Sequence, residues 1–264
     1  MEQAVPPISD ANTPSAGRIY DFFLGGRHNF EVDRIAAKGL LKDVPEMPQW
    51  VRLIRWFLGA AVRRLSDDGF TKFLDFASGL PTVDHIHQIT PKGTRVIYSD
   101  IDPITVAYAQ EIVKDLPDVA YVHGDAGRPE SVLELPIIEQ LFGSDRKLAI
   151  GLNGIAWFLP DEKVRHALGV LYEWVAPGSK LFICDTNYFG QSDEQEKVQS
   201  FYKDVKEPVH PRTEAEFRQL FGEWRPCDPG IQRIEKWLPI NTASIDEAVK
   251  VGGVTLVGAI LEKV

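Results

Sequence analysis

Phe73-Leu74-Asp75-Phe76-Ala77-Ser78-Gly79-Leu80-Pro81-Thr82 decides how the rest of the chain is read. A short apolar run that carries an acid near its end and then breaks into small residues reads as a strand passing into a turn. Taken back to Phe70, FTKFLDFA is strand one and SGLP its turn, and TVDHIHQI is the helix predicted next. The pattern G-x-G-x-x-G, which brings a pyrophosphate close to a helix N-terminus, is missing here. A nicotinamide site is therefore disfavoured. No Walker lysine motif takes its place, because neither GGR nor PKGT qualifies.

Outward from this stretch, short apolar runs alternate with helical ones. TRVIYSD is strand two, PITVAYAQEIVKDL a helix, VAYVHGD strand three and KLAIGLN strand four. DEKVRHALGVLYEWV is a helix and SKLFICDT strand five. The alternation predicts an α/β, Rossmann-like, mostly parallel sheet with helices on both faces. Beyond Tyr188, helices are expected around DEQEKVQSFYKDV and TEAEFRQLFGEW. IQRIEKWLPI and GVTLVGAILEKV then predict a C-terminal antiparallel strand pair at the sheet edge.

Asp75, Asp100 and Asp125 close the first three strands at intervals of 25 residues. In a doubly wound sheet the carboxyl ends of neighbouring strands share one crevice, where ligands bind. Asp100 is placed to accept from both hydroxyls of a ribose, and Asp125 from an adenine amino group. Asp75 and the turn Ala77–Ser78–Gly79 fall beside the amino-acid end of an S-adenosylmethionine (SAM). The turn N–H groups are candidates for the ligand carboxylate. Ile101 and Ala126, next to two of the acids, complete this part of the expected cofactor site. A single acid after a strand is more often a helix cap, as expected for Asp102 and Asp161. Three at matched spacing argue for a nucleoside.

Bulk properties fit one large α/β domain. The chain has 264 residues, 44% of them hydrophobic and 25% charged, and a formal charge of −9. That balance offers nothing to nucleic acid or an anionic membrane. Cys184 and Cys227 form neither a disulfide framework nor a zinc site, and His85 and His87 lie too close together for one helical face. No metal is expected. The N-terminus has no basic start and apolar run, and no stretch reaches membrane-spanning length, so a cytoplasmic protein is expected. Residues 1–14 read as a flexible leader, 15–66 as an N-terminal helical cap and 67–264 as the SAM-binding domain. In the cap's last helix, Val51, Ile54, Leu58, Ala61, Val62 and Leu65 recur at helical spacing, with Arg52, Arg55, Arg63 and Arg64 read as more peripheral.

The cap also carries Arg18-Ile19-Tyr20-Asp21-Phe22-Phe23-Leu24-Gly25-Gly26-Arg27-His28-Asn29-Phe30, followed by Asp33-Arg34. With the strand-one stretch and Ile97-Tyr98-Ser99-Asp100-Ile101-Asp102-Pro103, this run resembles a bacterial S-adenosyl methyltransferase family over nearly the whole chain. The resemblance implies a class I methyltransferase fold whose cap closes over the cofactor through Tyr20, Phe23, Gly26, Asn29 and Phe30. Aromatic faces beside a sulfonium would stabilise its charge, though the same rings can simply pack the cap. Ala77 replaces the family's usual glycine, a mild change if φ is negative.

Asn153, after strand four, and Tyr188, after strand five, are the candidate catalytic residues. His123 and His28 are possible general bases. The leading expectation is a SAM-dependent methyltransferase with a small-molecule acceptor. The polar pair Asn153 and Tyr188 keeps a second reading open, cyclisation of SAM alone to azetidine-2-carboxylate and methylthioadenosine. A third is a SAM-binding subunit without turnover.

Overall fold

In the computed structural model, residues 12–81, 84–188, 193–237 and 254–264 are described, with 187–188, 193–195 and 254–255 described by their backbone alone. The five apolar runs become β1 (Lys72–Phe76), β2 (Arg95–Asp100), β3 (Val119–His123), β4 (Ala149–Leu152) and β5 (Lys180–Tyr188). Together with β6 (Arg225–Pro226), β7 (Gln232–Arg233) and β8 (Val254–Glu262) they make one sheet. Its order is β3-β2-β1-β4-β5-β8-β6, with β7 also on β8. The first five strands pair in parallel, and β8 runs antiparallel to β5 along its whole length. The expected edge pairing is present, but its first member is short. Among the described residues of IQRIEKWLPI, Gln232–Arg233 is strand and Ile234–Trp237 a 3-10 helix, while residues 238–240 lie outside the described residues.

Helices cover both faces. Before the sheet come α1 (Ala16–Phe23), α2 (Glu31–Asp43) and α3 (Met47–Asp67). Between strands lie α4 (Ile86–Ile89), α5 (Pro103–Val113), α6 (Glu130–Leu133), α7 (Pro136–Phe142) and α8 (Asp161–Trp174), and after β5 come α9 (Asp193–Asp204) and α10 (Glu214–Gln219). Among the described residues of TVDHIHQI the helix is Ile86–Ile89, with His85 as its N-cap, and residues 82–83 lie outside the described residues. Pro103 opens α5 with a preset φ while the Asp102 carboxylate accepts from Ile104 N–H at 3.1 Å, as expected of a cap.

The α3 stripe packs on one sheet face. Phe57 is fully buried there and meets β8 at Gly258, where any side chain would collide with its ring. Burying one such ring contributes about 1.5–3 kcal/mol. The opposite face packs against α7, α8 and α10 through Phe142, Leu168, Leu171 and Phe217. Because β2 lies on one side of β1 and β4 on the other, the chain reverses its winding direction at β1. The crevice opens there, above Asp75.

Candidate active site

The tips of β1, β2 and β3 bring the three acids to one cavity of about 400 Å³. Asp75 sits opposite Tyr98 of β2 and Gly151 of β4. Gly151 has to be glycine, since a Cβ there would lie 2.0 Å from Asp75 Oδ1. That oxygen is buried and has no hydrogen-bond partner among the described residues. Burial pushes the Asp75 carboxyl up to about 7, against the lowering effect of the Ser78 hydroxyl and the Arg55 guanidinium.

The turn after β1 is held from three directions. Ser78 N–H donates to Ser99 O, and Gly79 N–H to Asp100 Oδ2, at 2.9 and 3.0 Å. Tyr121 of β3 donates its hydroxyl to Gly79 O at 2.6 Å. His85 Nε2 meets Ser78 O at 3.1 Å; the carbonyl can only accept, so Nε2 carries the proton. Burial holds the His85 pKa well below its usual value. The N–H groups of Ser78 and Gly79 are thus spent within the protein, and the expectation that they meet a ligand carboxylate is corrected. Ala77 has φ +51°, in the left-handed region, so its replacement of glycine is not the mild change expected at negative φ.

Asp100 accepts from Gly79 N–H on one oxygen and from Asp102 N–H on the other, at 3.0 and 2.9 Å. Each carboxylate oxygen keeps a second lone pair, enough for two ribose hydroxyls. Burial raises the Asp100 carboxyl to about 6. Asp125 Oδ1 accepts from Gly127 N–H at 2.8 Å, which fixes the carboxylate at the mouth of β3. Ile101, Ala126, Ala77 and Gly79 line the same cavity. Ile101 is 59% exposed, an apolar side chain left open beside the ribose acid.

One cation of the site was misjudged in the sequence. Arg55 is not peripheral: it is buried in α3, lines the cavity, and its Nε and Nη1 have no hydrogen-bond partner among the described residues. The spacing carried the signal, because Arg55 lies four residues after Val51 and three before Leu58, inside the apolar stripe. Its guanidinium stands 5.6 Å from the centroid of the Tyr20 ring. Tyr20 in turn donates its hydroxyl to Val51 O at 3.2 Å, tying α1 to α3.

Of the cap residues named in the sequence, Tyr20 and Phe23 line the cavity, but Gly26, Asn29 and Phe30 are not among its described lining. They build the turn between α1 and α2 around Asp21. Asp21 Oδ2 accepts from His28 N–H and Asn29 Nδ2 at 3.0 and 2.8 Å, and a side chain at Gly26 would collide with the Asp21 carboxylate. Phe30 carries the Arg18 guanidinium 5.0 Å from its ring centroid. His123 is exposed and bonds to Ile101 O, and His28 stacks edge-on against Tyr108. Neither is among the described cavity-lining residues.

Asn153 lines the cavity with its amide committed at both ends. Nδ2 donates to Ile54 O at 3.2 Å, and Oδ1 accepts from Cys184 Sγ at 3.1 Å. It joins the β4 tip to α3, a positioning role. The Tyr188 side chain lies outside the described residues. The polar end of β5 is partly an internal ion pair: buried Asp185 accepts from Arg212 Nη1 at 3.1 Å. Arg212 also donates to Ala156 O, Leu159 O and Asp161, which fixes the turn bearing Trp157. No helix among the described residues is long and apolar enough to cross a membrane.

Comparison with known proteins agrees with this geometry. A family model described as S-adenosyl methyltransferase matches residues 2–260. A Thermobifida fusca protein provisionally assigned as a methyltransferase is 28% identical, with 99% of each chain covered and a TM-score of 0.86. A DUF574 family protein from Streptomyces avermitilis is 27% identical over 97% of this chain and 99% of its own, with a TM-score of 0.85. A geranyl diphosphate methyltransferase solved with SAM shares the fold at 11% identity, covering 78% of this chain and 85% of its own, with a TM-score of 0.53. Curated proteins give no match to the chain.

Proposed function

Because the chain belongs to the S-adenosyl methyltransferase family, we propose that this SAM-dependent enzyme methylates a small-molecule acceptor in the cavity over β1 and β4. One observation carries the reading. A buried carboxylate, Asp75, and a buried guanidinium, Arg55, both hold atoms without a partner among the described residues, and both line the cavity that Asp100 and Asp125 enter. Leaving such atoms unpaired costs about 1–3 kcal/mol each. An amino acid zwitterion satisfies both at once.

Asp75 takes the ligand ammonium, Arg55 its carboxylate, Asp100 the ribose hydroxyls and Asp125 the adenine amine. Bound SAM supplies a methyl group on a sulfonium; the acceptor's lone pair bonds to that carbon while the carbon–sulfur pair stays on sulfur, and any acceptor proton leaves to solvent. The protein's work is alignment, worth up to roughly 7–11 kcal/mol when reacting atoms are held in line. Tyr20 and Asn153 support it by locking α3, which carries Arg55, to α1 and to the β4 tip. Asn153 holds Ile54 O and Cys184 Sγ, which supports a positioning role in transfer, and cyclisation of SAM alone remains the second reading. An acidic chain of charge −9 also suits a small acceptor better than nucleic acid, and we place the enzyme in the cytoplasm.

Calorimetry with SAM and with its demethylated product, S-adenosylhomocysteine, tests the site. Both should bind, and Arg55→Met and Asp75→Asn should each weaken binding roughly 10- to 100-fold, the scale of a lost charged hydrogen bond. Absence of binding by the unaltered protein would overturn the reading. Methylthioadenosine released from SAM alone would replace transfer with cyclisation.

A further inference from the structure

The cavity extends past the β1 switch point, toward β4, β5 and β8. There it is walled by Phe23, Met47, Trp50, Ile54, Trp157 and Tyr202. None of these six is charged, and Lys206, which also lines the cavity, is exposed. Arg55 acts electrostatically on Asp75, Lys163 lies against Gly127 beside Asp125, and Glu207 accepts from Ala16 N–H at 2.8 Å. A charged group in the apolar part would lose its water and meet no buried counter-ion among the described wall residues. A flat ring would gain buried area and edge-to-face contacts. The wall is already built that way: Tyr202 meets the Trp157 ring edge-on at 5.7 Å and Phe158 at 5.2 Å.

One polar atom in this wall is unspent. Trp157 is 6% exposed, and its indole Nε1 is buried with no hydrogen-bond partner among the described residues. Its backbone is fixed, since His210 N–H donates to Trp157 O at 2.8 Å and Arg212 holds the flanking carbonyls. An indole N–H can only donate, so whatever satisfies it must bring a lone pair.

Resting on the transferase reading above, we infer that the acceptor is a neutral, planar, apolar molecule carrying an oxygen that receives the Trp157 Nε1 hydrogen bond. A hydroxyarene is the simplest member of the class. Diphosphates and carboxylates fit this wall poorly, because none of its described residues supplies a buried cation.

The test titrates 1-naphthol, naphthalene and 4-hydroxynaphthalene-1-sulfonate into protein saturated with S-adenosylhomocysteine, followed by tryptophan fluorescence. 1-Naphthol should bind roughly tenfold more tightly than naphthalene, the scale of one hydrogen bond to a buried donor, and at least tenfold more tightly than the sulfonate. In Trp157→Phe the gap between naphthol and naphthalene should close, with S-adenosylhomocysteine affinity within twofold of the parent. Equal binding of the sulfonate, a gap that survives in Trp157→Phe, or no naphthol binding overturns the inference. Failure to take up S-adenosylhomocysteine sinks the cofactor reading instead, a separate result. If Trp157→Phe does not fold, the three-ligand comparison on the parent protein still decides.

Discussion

Arg18 Nη1 donates to Asp102 Oδ2 at 3.1 Å, joining α1 to the residue two beyond the ribose acid at the β2 tip. The same guanidinium donates from Nε to Asp33 Oδ2 at 2.8 Å, and Asp33 is completely buried. Asp102 in turn donates its N–H to Asp100. The first cap motif, the Asp33-Arg34 pair and the second-strand motif therefore meet at one arginine. Their shared task is to seat α1 over the cofactor crevice.

Removing that arginine strands buried Asp33 without a counter-charge. Breaking a buried pair from one side costs about 3–5 kcal/mol, so Arg18→Met should lower Tm by roughly 10 °C and weaken S-adenosylhomocysteine binding as α1 loosens. A thermal melt that moves by only a degree or two would show that the junction contributes little.

The acids predict a pH dependence with a definite sign. Asp75 has its carboxyl raised from 3.8 to about 7 by burial, so the folded state holds this proton more tightly than the unfolded chain. Its stabilising contribution is complete below about pH 4 and is lost as pH climbs through 7. Burial raises Asp100 and Asp185 to about 6 and Glu207 to about 7, and they act in the same direction. The ligand-free protein should melt at lower temperature at pH 8 than at pH 5.5. Asp75→Asn should shrink that difference, and an unchanged pH slope in the variant would refute the assignment to Asp75.

The same proton predicts how affinity varies. Cofactor ammonium at Asp75 needs the carboxylate, so binding below about pH 7 must release a proton. S-adenosylhomocysteine affinity should rise up to tenfold per pH unit from pH 6 to 7 and level off above. Calorimetry in buffers of different ionisation enthalpy reads the released proton directly. No release at pH 6 would place the ammonium elsewhere.

How far the sequence reaches depends on what a residue's neighbours are. The three acids were legible because a strand's end is visible in the chain, and a parallel sheet puts such ends together. Arg55 was obscured because α3 carries arginines at 52, 55, 63 and 64, and only its position within the apolar stripe separates it from the others. Asn29 and Gly26 misled for the opposite reason. Their dense motif encodes a turn wrapped on Asp21, which reads the same as a binding loop until its hydrogen bonds are seen. Trp157 carried no pattern, since its chamber is assembled from α1, α3, α9 and the turn after β4.

Asp125 offers a clean probe of adenine recognition. Its Oδ1 is used by Gly127 N–H, a bond that an asparagine oxygen can keep. Asp125→Asn should therefore fold normally while turning an amide N–H₂ toward the adenine amine, donor against donor. The expected loss of S-adenosylhomocysteine affinity is roughly tenfold or more, with an unchanged melting temperature in the absence of ligand. Unchanged affinity would move the adenine away from the β3 tip.

Ala77 holds φ +51° at the floor of the cavity, where an L side chain is strained by about 1–2 kcal/mol. Glycine relieves that strain and gives back about 0.5–1 kcal/mol through the greater freedom of the unfolded chain. Ala77→Gly should thus be neutral to about 1 kcal/mol more stable, where glycine in place of alanine ordinarily destabilises. Denaturant unfolding measures the sign, and a loss of stability would mean that the left-handed conformation at Ala77 carries no strain. The neighbouring turn is held by Ser99, Asp100 and Tyr121 rather than by Ala77, so cofactor affinity should be retained.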